Sequence, residues 1–186
     1  TVGFPLYFKQ AVDSAAKPAS LNPEEPLRLA RSLRSMGLRY AVLTSVCRDD
    51  LADQGAGHIA ECISQTKKLN PELLVEFLIP DFRGDRECLC VVADAGADVL
   101  AHNLETVRRL TSTVRDRRAD YDQSLEVLRM IKEMRPEITT KSSLMAGLGE
   151  TDDEMMESFK DLRRAGVEVL TLGQYLRPSK AGRNLP

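Results

Sequence analysis

The sequence predicts an α/β protein, a partial (βα)6 barrel of the TIM type, and three observations carry that expectation. Short apolar runs alternate with amphipathic helical patterns along the chain. Each run is a few residues long and bounded by Gly, Pro, Asn or Asp, which suits strands buried on both faces. The length, 186 residues, falls short of the roughly 250 of an eight-unit barrel and fits six units. Such alternation calls for a parallel sheet with right-handed crossovers, so a doubly wound sheet is the other architecture it allows. No linker or low-complexity tract interrupts the pattern, and residues 1–186 are read as one domain.

The elements follow in order. Thr1 to Leu6 is a candidate first strand, weakened by Pro5. Asn22-Pro23-Glu24-Glu25 reads as a helix cap, a first-turn proline and two acids facing the positive helix end. Leu27, Leu29, Ala30, Leu33 and Met36 form its apolar stripe, and Gly37 stops it. Strands are expected at Ala41–Ser45, Leu74–Ile79, Asp98–His102, Thr139–Met145 and Val167–Leu172. Helices are expected at Ala56–Leu69, Arg86–Ala95 and Tyr121–Met134, the last ended by Pro136. Thr151-Asp152-Asp153-Glu154 is a capping box, with Met155, Phe159 and Leu162 behind it and Gly166 at its close. The tail after Pro178 reads as a loop leaving the domain.

Composition narrows the function classes. Twenty-six basic against 28 acidic residues give a net charge of -2, which excludes a strongly basic nucleic-acid binder. No apolar run reaches the about 18 residues of a membrane span. The opening Thr1 to Leu6 carries neither the charged nor the long apolar segment of a signal peptide. Cys47, Cys62, Cys88 and Cys90 form no C-x-x-C pair and no structural-zinc spacing. They read as reduced thiols of a cytosol or organelle matrix.

In parallel α/β folds ligands bind beyond the carboxyl ends of the strands. There the sequence places Thr44 to Asp50, Pro80 to Asp85, His102 to Thr106, Gly147 to Glu150 and Gly173 to Pro178. Asn103 and Glu105 offer amide and carboxylate groups for a ribose or an ammonium. Lys141 offers a cation to a carboxylate, and Gly147-Leu148-Gly149 allows close backbone approach. Plainer roles compete. Arg48, Asp49, Asp50, Arg83 and Asp85 make rim ion pairs on one reading. Glu105 and Asp152 are helix-start acids, His102 is a hydrogen-bonded structural residue, and Met145 and Met155 are core. No G-x-G-x-x-G, P-loop or Ser-His-Asp set is present.

The strand-end segments together resemble the lipoyl synthases, a family of radical S-adenosylmethionine enzymes. The resemblance runs from about Leu21 to Ser179. It rests on Leu21 to Pro26, Leu43 to Val46, Arg48 to Leu51, Pro80 to Gly84, His102 to Thr106, Thr140 to Ser143, Gly147 to Glu150 and Leu172 to Tyr175. It implies a barrel that binds S-adenosylmethionine at its top. Thr44 and Ser45 would read the methionine amino group, Asn103 and Glu105 the ribose or methionine end, and Lys141 the carboxylate. Ser143-x-Met145-x-Gly147-x-x-Glu150 is similar to the family's fifth-strand motif, with Met145 against adenine, and Gln174 and Tyr175 would offer backbone to the adenine edge.

The family inserts sulfur into an octanoyl chain on a lipoyl-carrier protein or dehydrogenase subunit, in the mitochondrial matrix or the bacterial cytoplasm, with no nucleic-acid or membrane partner. It uses [4Fe–4S] clusters, one held by C-x-x-x-C-x-x-C after the first strand. In register those cysteines fall at Gly3, Tyr7 and Gln10, so the resemblance implies a chain short of the family at both ends and without cluster ligands. A non-catalytic adenosylmethionine- or partner-binding barrel is the alternative. An aldolase-like barrel is disfavoured, since Lys141 is the one Schiff-base candidate.

Overall fold

A computed structural model of the chain describes residues 18–176. Five strands form one sheet: β1 (Tyr40–Thr44), β2 (Leu74–Leu78), β3 (Val99–Ala101), β4 (Thr139–Ala146) and β5 (Val169–Gln174). They are parallel neighbours in chain order, and the sheet curls into a half-barrel. Helices α1 (Glu25–Met36), α2 (Ala56–Leu69), α3 (Arg86–Ala93), α4 (Thr111–Val114), α5 (Tyr121–Met134) and α6 (Asp152–Arg164) fill the crossovers. Three-residue 3-10 turns occupy Phe82–Gly84 and Arg108–Leu110. Among the described residues no helix is long and apolar enough to cross a membrane.

The α/β half-barrel bears out the predicted class. Helices α2 and α5 begin and end at the predicted residues. The capping box of α6 forms, with Thr151 and Glu154 satisfying each other's backbone N–H groups at 3.3 and 2.8 Å. The start of α1 differs. The helix begins at Glu25, and Pro26, not Pro23, is its first-turn proline. The Asn22 carboxamide closes a tight turn by accepting from Glu24 N (3.0 Å) and caps no helix. Within the expected stripe Ala30 and Leu33 are buried, whereas Leu27 and Met36 face solvent. The candidate strand at Thr1–Leu6 and the tail after Pro178 lie outside the described residues.

Alternation of side chains along each strand divides the sheet into two unlike faces. Phe77 and Leu100 join Ile59, Ile63, Leu89, Val92, Val127 and Ile131 in a core under α2, α3 and α5. Leu144 continues it with Leu104, Tyr121, Leu128 and Leu162. Each fully buried aliphatic side chain of this kind contributes roughly 1.5–3 kcal/mol. The opposite, inner face carries Tyr40, Val42 and Leu74, all exposed, together with Glu76 and Lys141. Glu76 lies between the core residues Val75 and Phe77 and points away from them, so a carboxylate stands in the middle of an apolar strand.

Candidate functional site

The inner face holds its own charge network. Lys141 Nζ lies 2.6 Å from Glu76 Oε1, and Tyr40 donates its hydroxyl to Glu76 Oε2 at 2.6 Å. Glu76 is 4% exposed. Val99 and Ala101 on the intervening strand are small enough to let the two side chains meet across it. Although the ring is exposed, desolvation of its hydroxyl end, and then the bond to Glu76, push the Tyr40 phenol up to about 12. The Lys141 ammonium thus has a protein carboxylate as its counter-ion, which the sequence reading did not foresee. The signal was a lone acid at an even position in Leu74 to Ile79.

At the rim the loop after β3 carries Asn103 and Glu105. The ladder to β4 runs through His102 N to Lys141 O (3.0 Å), lapses for two residues, and resumes at Glu105 N to Ser143 O (2.9 Å) and Met145 N to Glu105 O (2.9 Å). Glu105 has φ +68 and Thr106 N bonds back to Leu104 O at 2.9 Å, a γ-turn in the strained left-handed sense. Glu105 is therefore no helix-start acid. Asn103 Nδ2 donates to Glu105 Oε1 at 3.2 Å, so the two side chains form one amide–carboxylate unit.

Beneath this loop His102 is buried, with Nδ1 3.0 Å from Ile79 O and Nε2 3.1 Å from Ser124 Oγ. Burial holds its pKa below the usual histidine value, and the structural reading of His102 stands.

The loop after β4 is built differently. Gly147 has φ +94, a conformation that L side chains rarely adopt, and a Cβ there would lie 2.4 Å from Gln174 Nε2, which would have to swing aside. The Gln174 amide lies over the turn and donates to Ala146 O at 3.1 Å, while Tyr175 N reaches the same oxygen at 2.8 Å. Glu150 folds back onto its own turn, accepting from Gly147 N (2.6 Å) and Leu148 N (2.8 Å). Burial works against that charge, but the backbone N–H groups hold the carboxyl below its usual value. Arg109, a residue the sequence reading passed over, clamps the next turn through Glu154 (2.6 and 2.9 Å) and Gly149 O (2.9 Å). Met145, Met155 and Tyr175 pack against the buried Val107, Leu110 and Leu148.

The structure thus gathers Asn103, Glu105, Met145, Gly147, Glu150, Gln174 and Tyr175 around the ends of β3, β4 and β5. Lys141 sits in mid-strand, level with Ala101 and Val169. Thr44 and Ser45 are exposed at the end of β1, separated from β4 by two strands. Arg48 pairs with Asp50 at 2.9 Å, Arg83 with Asp49 at 3.4 Å, and Arg118 with Asp49 and Asp116. Asp85 caps α3 by accepting from Glu87 N and Cys88 N. Arg48, Asp49, Asp50 and Arg83 thus make rim pairs, and Asp85 is a cap.

The cysteines do not converge. Cys47 is exposed after β1, Cys62 and Cys88 are buried, and Cys90 lies one position past Leu89 on α3. Burial pushes the Cys62 thiol up to about 11. Among the described residues no three His, Cys, Asp or Glu side chains are grouped to hold a metal, and the remaining residues contain no cysteine. A thiolate-held iron–sulfur cluster therefore does not fit this chain.

Residues 8–162 match the Radical SAM superfamily. The chain belongs to that superfamily. Within it, the chain is 54% identical over 170 residues to the mitochondrial lipoyl synthase of Branchiostoma floridae, covering 91% of this chain and 45% of the relative. It is 58% identical over 168 residues to the lipoyl synthase of an Anaeromyxobacter species (90% and 57%). The Thermus thermophilus lipoyl synthase is 55% identical over 171 residues (92% and 53%). The chain spans about half the length of these relatives, and it is lipoyl synthase-like. Among solved structures, methylornithine synthase shares the fold at TM-score 0.67 and 19% identity, over 90% of this chain and 50% of that one. A Bacillus subtilis HMG-CoA lyase shares it at 0.55 and 15%, over 84% and 52%.

Proposed function

We propose that this chain is the S-adenosylmethionine-binding barrel of a lipoyl synthase-type protein, with residues 1–186 acting as one domain. The observation that carries the reading is the Asn103–Glu105 unit, presented at the rim on a strained turn beside the glycine turn of β4. Strain of this kind persists where the surroundings over-determine it, and it collects at ligand sites. Asn103 and Glu105 would take the ribose hydroxyls or methionine ammonium. Met145 and Tyr175 would face adenine, with backbone from Gly147 and Gln174. Lys141, already neutralised by Glu76, would share its charge with the methionine carboxylate, and Thr44 and Ser45 would reach the amino group from β1.

In a lipoyl synthase-type protein, S-adenosylmethionine and an iron–sulfur cluster would supply the radical chemistry for putting sulfur into an octanoyl chain. The acceptor would be a lipoyl-carrier protein or dehydrogenase subunit, in a mitochondrial matrix or a bacterial cytoplasm. This chain supplies the nucleoside rim and no thiolates for a cluster. By itself it binds and does not cleave.

Calorimetry with S-adenosylmethionine tests the reading. The expected affinity is high micromolar or weaker, about 4–6 kcal/mol, and Glu105→Ala should weaken it by about 1.5–3 kcal/mol. No binding at millimolar ligand, or binding indifferent to Glu105→Ala, removes the site.

A further inference from the structure

We infer that Ser142 is the positioning residue of the rim: its buried hydroxyl fastens the loop after β3 to β4 and so fixes where the Glu105 carboxylate stands. The inference rests on the nucleoside-site reading of Asn103 and Glu105 and names what holds them.

The two ladder bonds that flank the loop use the carbonyls of Lys141 and Ser143. In a parallel strand successive residues direct their carbonyls to opposite neighbours. The Ser142 carbonyl accordingly points to β5, where it accepts from Thr171 Oγ1 at 3.4 Å. No β4 carbonyl therefore stands opposite the Leu104 N–H. Ser142 Oγ accepts from it instead, at 3.1 Å. Ser142 and Leu104 are both fully buried, so neither water nor a neighbouring group replaces that oxygen if it is removed, and a buried donor without a partner is costly. The next residue is Glu105 at φ +68, with Thr106 N bonded across it to Leu104 O. A left-handed glutamate does not hold that conformation unaided. It is pinned on one side by Ser143 O and Met145 N, and on the other by the Leu104 amide that Ser142 anchors. Thr140 supplies a natural control. It lies two residues earlier on the same strand face, is equally buried, and donates to Gly166 O at 2.7 Å, on the far side from the loop.

The experiment compares Ser142→Ala with Thr140→Val. Amide hydrogen exchange by NMR should speed up about 5–10-fold at Leu104 and Thr106 in Ser142→Ala, the change expected for one net hydrogen bond, and stay within about twofold at those amides in Thr140→Val. Titration with S-adenosylmethionine should weaken by a similar factor in Ser142→Ala. That loss should vanish when Glu105→Ala is already present, because residues acting through one another are not additive. Ser142→Thr, which keeps the hydroxyl, should restore both readouts. Unchanged exchange at Leu104 and Thr106 overturns the fastening. An affinity loss that persists in the Glu105→Ala background shows that Ser142 acts elsewhere. If Glu105→Ala alone leaves the affinity unaltered, the nucleoside-site reading fails and takes the functional half with it, while the exchange result still decides the fastening. Should Ser142→Ala not fold, Ser142→Cys, of similar size and a weak acceptor, goes through the same comparison.

Discussion

The loops after β3 and β4 both turn through positive φ and both carry a glutamate, yet they use it in opposite ways. After β4 the positive φ falls on glycines at +94 and +99, and the Glu150 carboxylate is consumed by the turn's own N–H groups. After β3 the positive φ falls on Glu105 itself, and its carboxylate meets the Asn103 amide at the rim. One acid closes its own turn, and the other, half-buried and bonded to Asn103, sits on a strained one. A carboxylate in a rim motif is therefore not by that fact a ligand group, since Glu150 is bound by its own backbone.

Four perturbations break or sharpen this contrast. Glu150→Ala removes two charge-assisted bonds and should destabilise the fold by about 2–3 kcal/mol in urea melts; a loss under about 0.5 kcal/mol would show that the turn closes without it. Gly147→Ala forces a side chain into the left-handed region and displaces the Gln174 amide, for an expected loss of about 1–2 kcal/mol. Glu105→Gly releases the backbone strain but loses the Asn103 bond and gains unfolded-state entropy, so its net effect should stay within about 1 kcal/mol of zero. A loss as large as that of Glu150→Ala would instead make Glu105 a structural residue like Glu150.

The smallest effect is in pH. His102 is held neutral below its unfolded value of 6.5, so its contribution is full above that pH and is lost as pH falls through it toward the folded pKa. Glu150 is depressed from 4.5, so its contribution disappears only further down. On acidification amide protection should fall around His102–Glu105 before it falls around Gly147–Leu148. Simultaneous loss would mean that the two loops open as one unit.

Much of this was legible in the sequence. Turn residues and caps marked α2, α5 and α6 because Gly, Pro and the Thr151 box act locally, through one or two hydrogen bonds. Strand positions followed from short apolar runs. Asn22-Pro23 misled because an Asx turn and a helix cap draw on the same side-chain acceptor, and only the downstream backbone separates them. At the site, sequence located Glu105 and Glu150 but could not rank them, since spacing does not reveal whether a carboxylate bends back on its own amides. Glu76, Tyr40 and Arg109 went unseen because Tyr40 and Glu76 pair across 36 residues, Glu76 and Lys141 across 65, and Arg109 and Glu154 across 45. The role of Ser142 depends on which way a carbonyl points, which composition does not encode.

The order of the sheet has a consequence for how the molecule comes into being. Among the described residues each strand after β1 pairs with the one made just before it, and none is slotted between two older ones. A chain emerging from a ribosome can thus dock each β–α unit onto a finished edge, with each loop closure confined to one crossover. The rim is completed late in this sequence, because Glu105 finds its ladder partners only when β4 arrives. A nascent chain released before Met145 would own a sheet but not the fastened turn at Glu105.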